Sequence, residues 1–165
     1  MKTSAIVLPV IGALSLLGCN QNPSNGSSID DRQTETDASG PPVFRAASDA
    51  TLQWGPCPAP LPAGCELAVL HGDPAKPNAD VLLRIPGGYA IPPHTHSSAE
   101  RMMLVSGRLD VRYQGAQSAS LSPGHYAYGP PGLPHAATCM AAEPCVLFIA
   151  FEGPVDVKAF EGAVQ

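Results

Sequence analysis

Between residues 52 and 151 glycine and proline interrupt the chain so often that only short apolar runs survive: Leu67–Leu70, Val81–Ile85, Arg101–Val105, Leu109–Tyr113, His125–Tyr128 and Val146–Phe151. None of these runs repeats with a helical period. Leu109, Val111 and Tyr113 alternate with Arg108, Asp110 and Arg112, the pattern of a strand with one face inward and one in water. Ser106-Gly107 just before them suits a hairpin turn. With 16 Gly, 19 Pro and only 14% charged residues, the chain has the turn-formers of an antiparallel all-β fold and little of the charge that helical surfaces use. The last run, Val-Leu-Phe-Ile-Ala-Phe, is apolar on both faces, so it is expected either at the centre of a sheet or under a second subunit in a homodimer.

The N-terminus reads as an address. Met1 and Lys2 precede an apolar stretch from Ala5 to Leu17, too short to cross a ~30 Å bilayer core comfortably and of the length of a secretory signal. Leu16-Leu17-Gly18-Cys19 resembles the bacterial lipobox, in which the cysteine thiol carries diacylglycerol and becomes the mature N-terminus. Residues 1–18 are therefore expected to be a lipoprotein signal peptide, with Cys19 lipidated. Residues 19–42 hold almost no large apolar side chain and cannot offset the entropy lost on ordering, so a flexible leash is expected there. A leash of that length would hold the domain, residues 43–165, roughly 25 Å from the lipid bilayer. Asn20 is not the aspartate that favours inner-membrane retention, so the outer membrane is favoured where the host has one. Lys and Arg number 9 against 14 Asp and Glu, and no basic cluster is present to displace counterions from a nucleic acid.

Chemistry concentrates in two segments. His94 and His96 stand two residues apart, so on a strand both imidazoles point to the same side, and Glu100 follows four residues later. A third imidazole, His135, comes after the turn Pro130-Pro-Gly132. Three neutral imidazoles and a carboxylate suit one divalent ion, Zn, Fe, Mn, Cu or Ni.

The segments Gly88-x5-His94-x-His96-x3-Glu100-x6-Gly107 and Gly124-x5-Pro130-x-Gly132-x2-His135 resemble the two motifs of the cupin superfamily. Every fixed position of both is met except the last of the second motif, where Cys139 stands in place of asparagine. The resemblance spans about residues 65–152 and implies a small cupin-type β-barrel, or jelly roll, with His94, His96, Glu100 and His135 as metal ligands. The 16 residues between Gly107 and Gly124 leave room for one hairpin, as in small bacterial cupins. Cys139 would lie roughly 13 Å along the strand from His135, outside the ion's reach.

Four cysteines besides Cys19 remain, an even number that suits disulfides in an oxidising compartment. Of three possible connectivities, Cys57–Cys65 and Cys139–Cys145 close the shortest loops; the sequence alone does not choose among them, or between bridges and buried thiols. His71 and His125 fall outside the motifs and are read as surface or structural. Tyr89, Tyr126 and Tyr128 could line a pocket or fill the interior, and Arg84 could face solvent or anchor an anion. Trp54 is expected to pack an N-terminal strand against the barrel.

Two functions fit this pattern. The first is an exported module that binds a metal and a small molecule, since the motifs specify ligands but no separate acid, base or nucleophile; it loosely resembles the zinc-binding cupin domains of bacterial anti-sigma factors. The alternative is a metal-dependent enzyme, a dioxygenase or an isomerase or lyase, acting on a small organic substrate. Export without a twin-arginine signal implies metal loading outside the cytoplasm, where zinc and copper compete best, and zinc is slightly preferred.

Overall fold

In the computed structural model, which describes residues 41–165, no helix occurs among the described residues, and turns and loops join the segments that alternation of side chains resolves into strands. Among the described residues these are β1 (Trp54–Pro56), β2 (Glu66–His71), β3 (Ala79–Ile85), β4 (Ala90–Thr95), β5 (Glu100–Ser106), β6 (Leu109–Tyr113), β7 (Ala119–Leu121), β8 (Tyr126–Gly129), β9 (His135–Cys139), β10 (Cys145–Phe151) and β11 (Lys158–Ala159). They pair antiparallel in two sheets, ordered β1-β2-β3-β10-β5-β8 and β11-β4-β9-β6-β7. This is the cupin jelly roll. It departs from the expected barrel in one respect: the edges of the two sheets are not hydrogen-bonded to each other, so the barrel is not closed.

The core lies between the sheets. Val81, Leu83 and Ile85 of β3, Leu104 of β5 and Leu147 and Ile149 of β10 meet Leu109 and Val111 of β6 and Ala137 of β9. Strict alternation puts these residues inward and their neighbours outward, as along β5, where buried Met102 and Leu104 alternate with exposed Met103 and Val105. β10 is central, between β3 and β5, so its two-sided apolarity needs no second subunit. Its outward Val146 and Phe148 join a smaller apolar cluster with Leu52, Ala68, Leu82 and Trp54 on the outside of that sheet. Trp54 opens β1 against β2, and the Arg84 guanidinium stacks 4.1 Å from its ring while donating to Glu66 Oε2. Arg84 thus faces outward and pairs within the chain.

Five strands lie outside the apolar runs of the sequence: β1, β4, β7, β9 and β11. The instructive case is β4, which contains Pro92 and Pro93. Neither has an N–H to give to a ladder, and the pairing of β4 with β9 slips between Ile91 and His94. Gly107 closes the hairpin between β5 and β6 at φ 89°, and a Cβ there would stand 2.9 Å from the Cys145 Cα. Both the backbone conformation and the close approach require glycine.

Candidate metal centre

Four polar side chains enter the interior at one end. His94 lies near the end of β4, in register with His135, which begins β9. His96 follows β4 directly, and Glu100 begins β5. All four are buried. The imidazole centroids lie 4.1 Å apart for His94 and His135, 5.0 Å for His94 and His96, and 5.2 Å for His96 and His135.

The hydrogen bonds assign the tautomers. His94 Nδ1 lies 2.8 Å from the Pro92 carbonyl, His96 Nδ1 2.5 Å from that of Asp156, and His135 Nδ1 3.1 Å from that of Leu133. A carbonyl only accepts, so each Nδ1 carries the proton and donates it. Each neutral ring then presents a bare Nε2 lone pair. The three imidazoles form a group whose donor atoms all lie within 4.8 Å of one another and which could hold a metal ion. Backbone carbonyls that orient ligand imidazoles in this way are a common feature of metal sites.

Glu100 stands beside this group, Oε1 at 3.0 Å from His135 Nε2 and Oε2 at 3.5 Å from His96 Nε2. It adjoins two imidazoles rather than all three. Oε1 is buried and has no hydrogen-bond partner as long as His135 Nε2 carries no proton. A carboxylate facing imidazole lone pairs in a buried site calls for a cation or a proton between them. Without a metal the proton serves: burial pulls His135 down, but the hydrogen bond and charge of Glu100 outweigh it and raise its pKa. Burial pushes Glu100 up, yet the His135 hydrogen bond and the surrounding imidazoles hold it below the usual carboxylate range. Burial, aided by the His135 charge, depresses His94 to about 4, so that ring is neutral at pH 7. The donor set therefore fits a divalent ion. Gly129 leaves room for Glu100, because a Cβ there would stand 2.8 Å from the Glu100 Cγ.

Asp156, Lys158 and Tyr113 also neighbour the site, and no motif of the sequence marks them. Asp156 gives its carbonyl to His96 while its carboxylate accepts from the Ser97 N–H at 2.8 Å and from the Ser97 hydroxyl. Lys158 reaches both, 2.6 Å from Ser97 Oγ and 3.5 Å from Asp156 Oδ2. A C-terminal strap is thereby clasped to the segment that holds His96, and β11 adds its pairing to β4. Tyr113 ends β6 opposite His135, its ring 5.1 Å away and its hydroxyl buried without a partner. Burial, reinforced by Glu100, raises its pKa.

The remaining residues fall elsewhere. Cys57 and Cys65 are at disulfide distance across the β1–β2 loop, with Cα atoms 5.5 Å apart, and Cys139 and Cys145 across the β9–β10 loop at 5.8 Å. Tyr126 and Tyr128 lie exposed on the outside of β8 and neither line the interior nor fill it. Tyr89 caps the β1–β2 loop through its hydroxyl and the Pro62 carbonyl. His71 and His125 are exposed. Cys19 and the expected signal peptide lie outside the described residues.

The same four polar residues line an interior cavity of ≈ 50 Å³. Its other walls are apolar, including Leu83, Met102, Val111, Leu147 and Ile149. A profile described as the ChrR cupin-like domain matches residues 45–156. The chain belongs to the ChrR cupin-like family.

Solved structures similar to this ChrR-like cupin show the same fold at low identity. A DMSP lyase structure is 19% identical with a TM-score of 0.58, covering 67% of this chain and 63% of its own, so the chain spans less than two thirds of that relative's length. The DMSP lyase DddQ from Ruegeria pomeroyi DSS-3 is 21% identical with a TM-score of 0.57, over 78% of this chain and 77% of its own. The polyketide cyclase RemF from Streptomyces resistomycificus is 15% identical with a TM-score of 0.59, over 73% and 88%. No curated protein sequence matches the ChrR-like cupin.

Proposed function

We propose that this chain is an exported, lipid-anchored cupin that holds one divalent metal ion on His94, His96 and His135, with Glu100 as fourth ligand, and binds a small molecule through that ion. The observation that carries the metal is the set of three buried Nε2 lone pairs, each fixed by an Nδ1–H bond to a backbone carbonyl. Three imidazoles aimed at one point and a carboxylate beside them have no apolar alternative partner. Zinc is the first choice, because the mixed N/O donor set suits it and because loading outside the cytoplasm leaves selection to intrinsic affinity. The Cys19 anchor and the leash behind it rest on the lipobox-like residues and belong to the same proposal.

Binding rather than turnover is favoured by what surrounds the donors. Among the described residues, the side chains that line the cavity besides the four proposed ligands offer no group that could give or take a proton, and Tyr113 beside His135 is not one of the lining residues. The bound ion would supply a Lewis-acidic anchor for a lone pair of the guest. The enzyme reading, a lyase, isomerase or dioxygenase, draws on the folds of the DMSP lyases and the cyclase and would give Glu100 the task of moving a proton in place of holding the ion. Elemental analysis of protein taken from its native envelope tests the metal: one equivalent of zinc is expected, and iron or manganese at full occupancy would overturn the choice of zinc. Globomycin treatment, which blocks lipoprotein signal cleavage, tests the anchor: the uncleaved precursor should accumulate, and unchanged processing would remove the lipidation of Cys19.

A further inference from the structure

The lining of the cavity restricts what the ion can hold. Resting on the metal site proposed above, we infer that the guest is a compact apolar molecule with a single metal-binding head, such as a short-chain monocarboxylate. Polyols, sugar acids and dicarboxylates are excluded by the same lining.

Each wall residue other than the four polar ones is aliphatic, Met, Phe, Pro or the half-exposed Cys57. Among the described residues no Arg, Lys, Asn, Gln, Ser, Thr or Tyr side chain lines the space. A second carboxylate or a row of hydroxyls entering it would exchange water for Leu83, Met102, Leu147 and Ile149. Leaving one polar group unpaired in such surroundings weakens binding by at least about tenfold. One donor atom escapes that penalty, because the ion would be held by the polar side chains of the lining, which among the described residues are His94, His96, Glu100 and His135. The volume of ≈ 50 Å³ holds about three to five waters, enough for a chain of a few carbons. The lining reaches solvent at Pro58 and Leu61 of the β1–β2 loop and at Val155 and Val157 of the C-terminal strap, which are exposed or half-buried while most of the remaining walls are buried. Entry is therefore between two apolar lips. The side chains that line these lips carry no charge, and on the strap Lys158 pairs with Asp156 and Ser97.

The test uses the full chain loaded with Co(II), whose visible spectrum reports changes in coordination without reference to any activity. Acetate, butyrate, hexanoate and succinate are titrated in turn. Monocarboxylate affinity should rise by about fourfold per methylene added until the cavity is filled, and succinate should bind at least tenfold more weakly than butyrate. Val157→Lys, at the half-exposed lip, should restore succinate by pairing with its second carboxylate. A flat response to chain length, or succinate as tight as butyrate in the unmodified protein, overturns the apolar-guest inference while leaving the metal site intact. Failure of the chain to take up cobalt overturns the metal site and the inference with it.

Discussion

Strand β9 runs from one end of the interior to the other, beginning at His135 and ending at Cys139, and its two ends are built on opposite terms. Around His135 stand His94, His96 and Glu100, buried polar groups whose lone pairs face one another. Around Cys139 stand Cys145, Ile85, Leu104 and Leu109, all almost wholly buried, with Cys139 and Cys145 at disulfide distance. The apolar end is complete as it is, since every group there finds its preferred neighbours in the chain. The polar end is complete only with a proton or a cation. That difference separates what holds this fold together from what the fold is for. It also explains how cysteine can stand at the motif position where cupins carry asparagine: position 139 belongs to the end that serves stability.

The comparison breaks most visibly if the ends are mutated separately. His96→Ala should abolish stoichiometric metal binding, while Cys139→Ser should retain one equivalent and lose only stability. Metal content by elemental analysis, read beside thermal melting, checks both. Leu104→Ala should destabilise the chain by about 2–5 kcal/mol, because the side chain is fully buried and leaves a cavity behind. That loss should be the same with and without metal, measured by denaturant unfolding. Asp156→Ala should weaken metal affinity by about 10–100-fold, as loss of a group that supports a ligand does, and a competition titration against a chelator reads it. The polypeptide carbonyl remains in that variant, so the effect measures the Ser97 clasp that holds the strap in place. The smallest effect belongs to Arg84→Met on the outside: its pair with Glu66 is part-exposed and screened, and the change in unfolding free energy should stay within about 1 kcal/mol.

Much of the polar end was legible because its residues act through side-chain type and spacing. Two histidines at spacing two on extended chain project to one side, a property of any strand, and here His94 lies on β4 and His96 just after it; the glycines that flank them mark turns. Gly107 illustrates the point, since its positive φ and its approach to Cys145 leave no other residue possible. What escaped acts through the backbone or through distant packing. Asp156 reaches His96 with a carbonyl across a separation of 60 residues, and every residue type has a carbonyl. Tyr113 was readable as an inward residue of β6, but its position against His135 depends on the pairing of β6 with β9. β4 lies outside the apolar runs, and its Pro92-Pro93 form an irregularity within the pairing. Tyr126 and Tyr128 were expected inside because aromatics fill barrels; alternation along β8 turns both outward.

The central claim is that His94, His96 and His135 share one ion. X-ray absorption spectroscopy on the zinc-loaded full chain tests it most directly. The account predicts one zinc per chain, with three imidazole nitrogens and oxygen at about 2.0–2.1 Å and no sulfur, and the loss of this signal in His96→Ala. A shell containing sulfur, or the same spectrum in the His96→Ala protein, would contradict it.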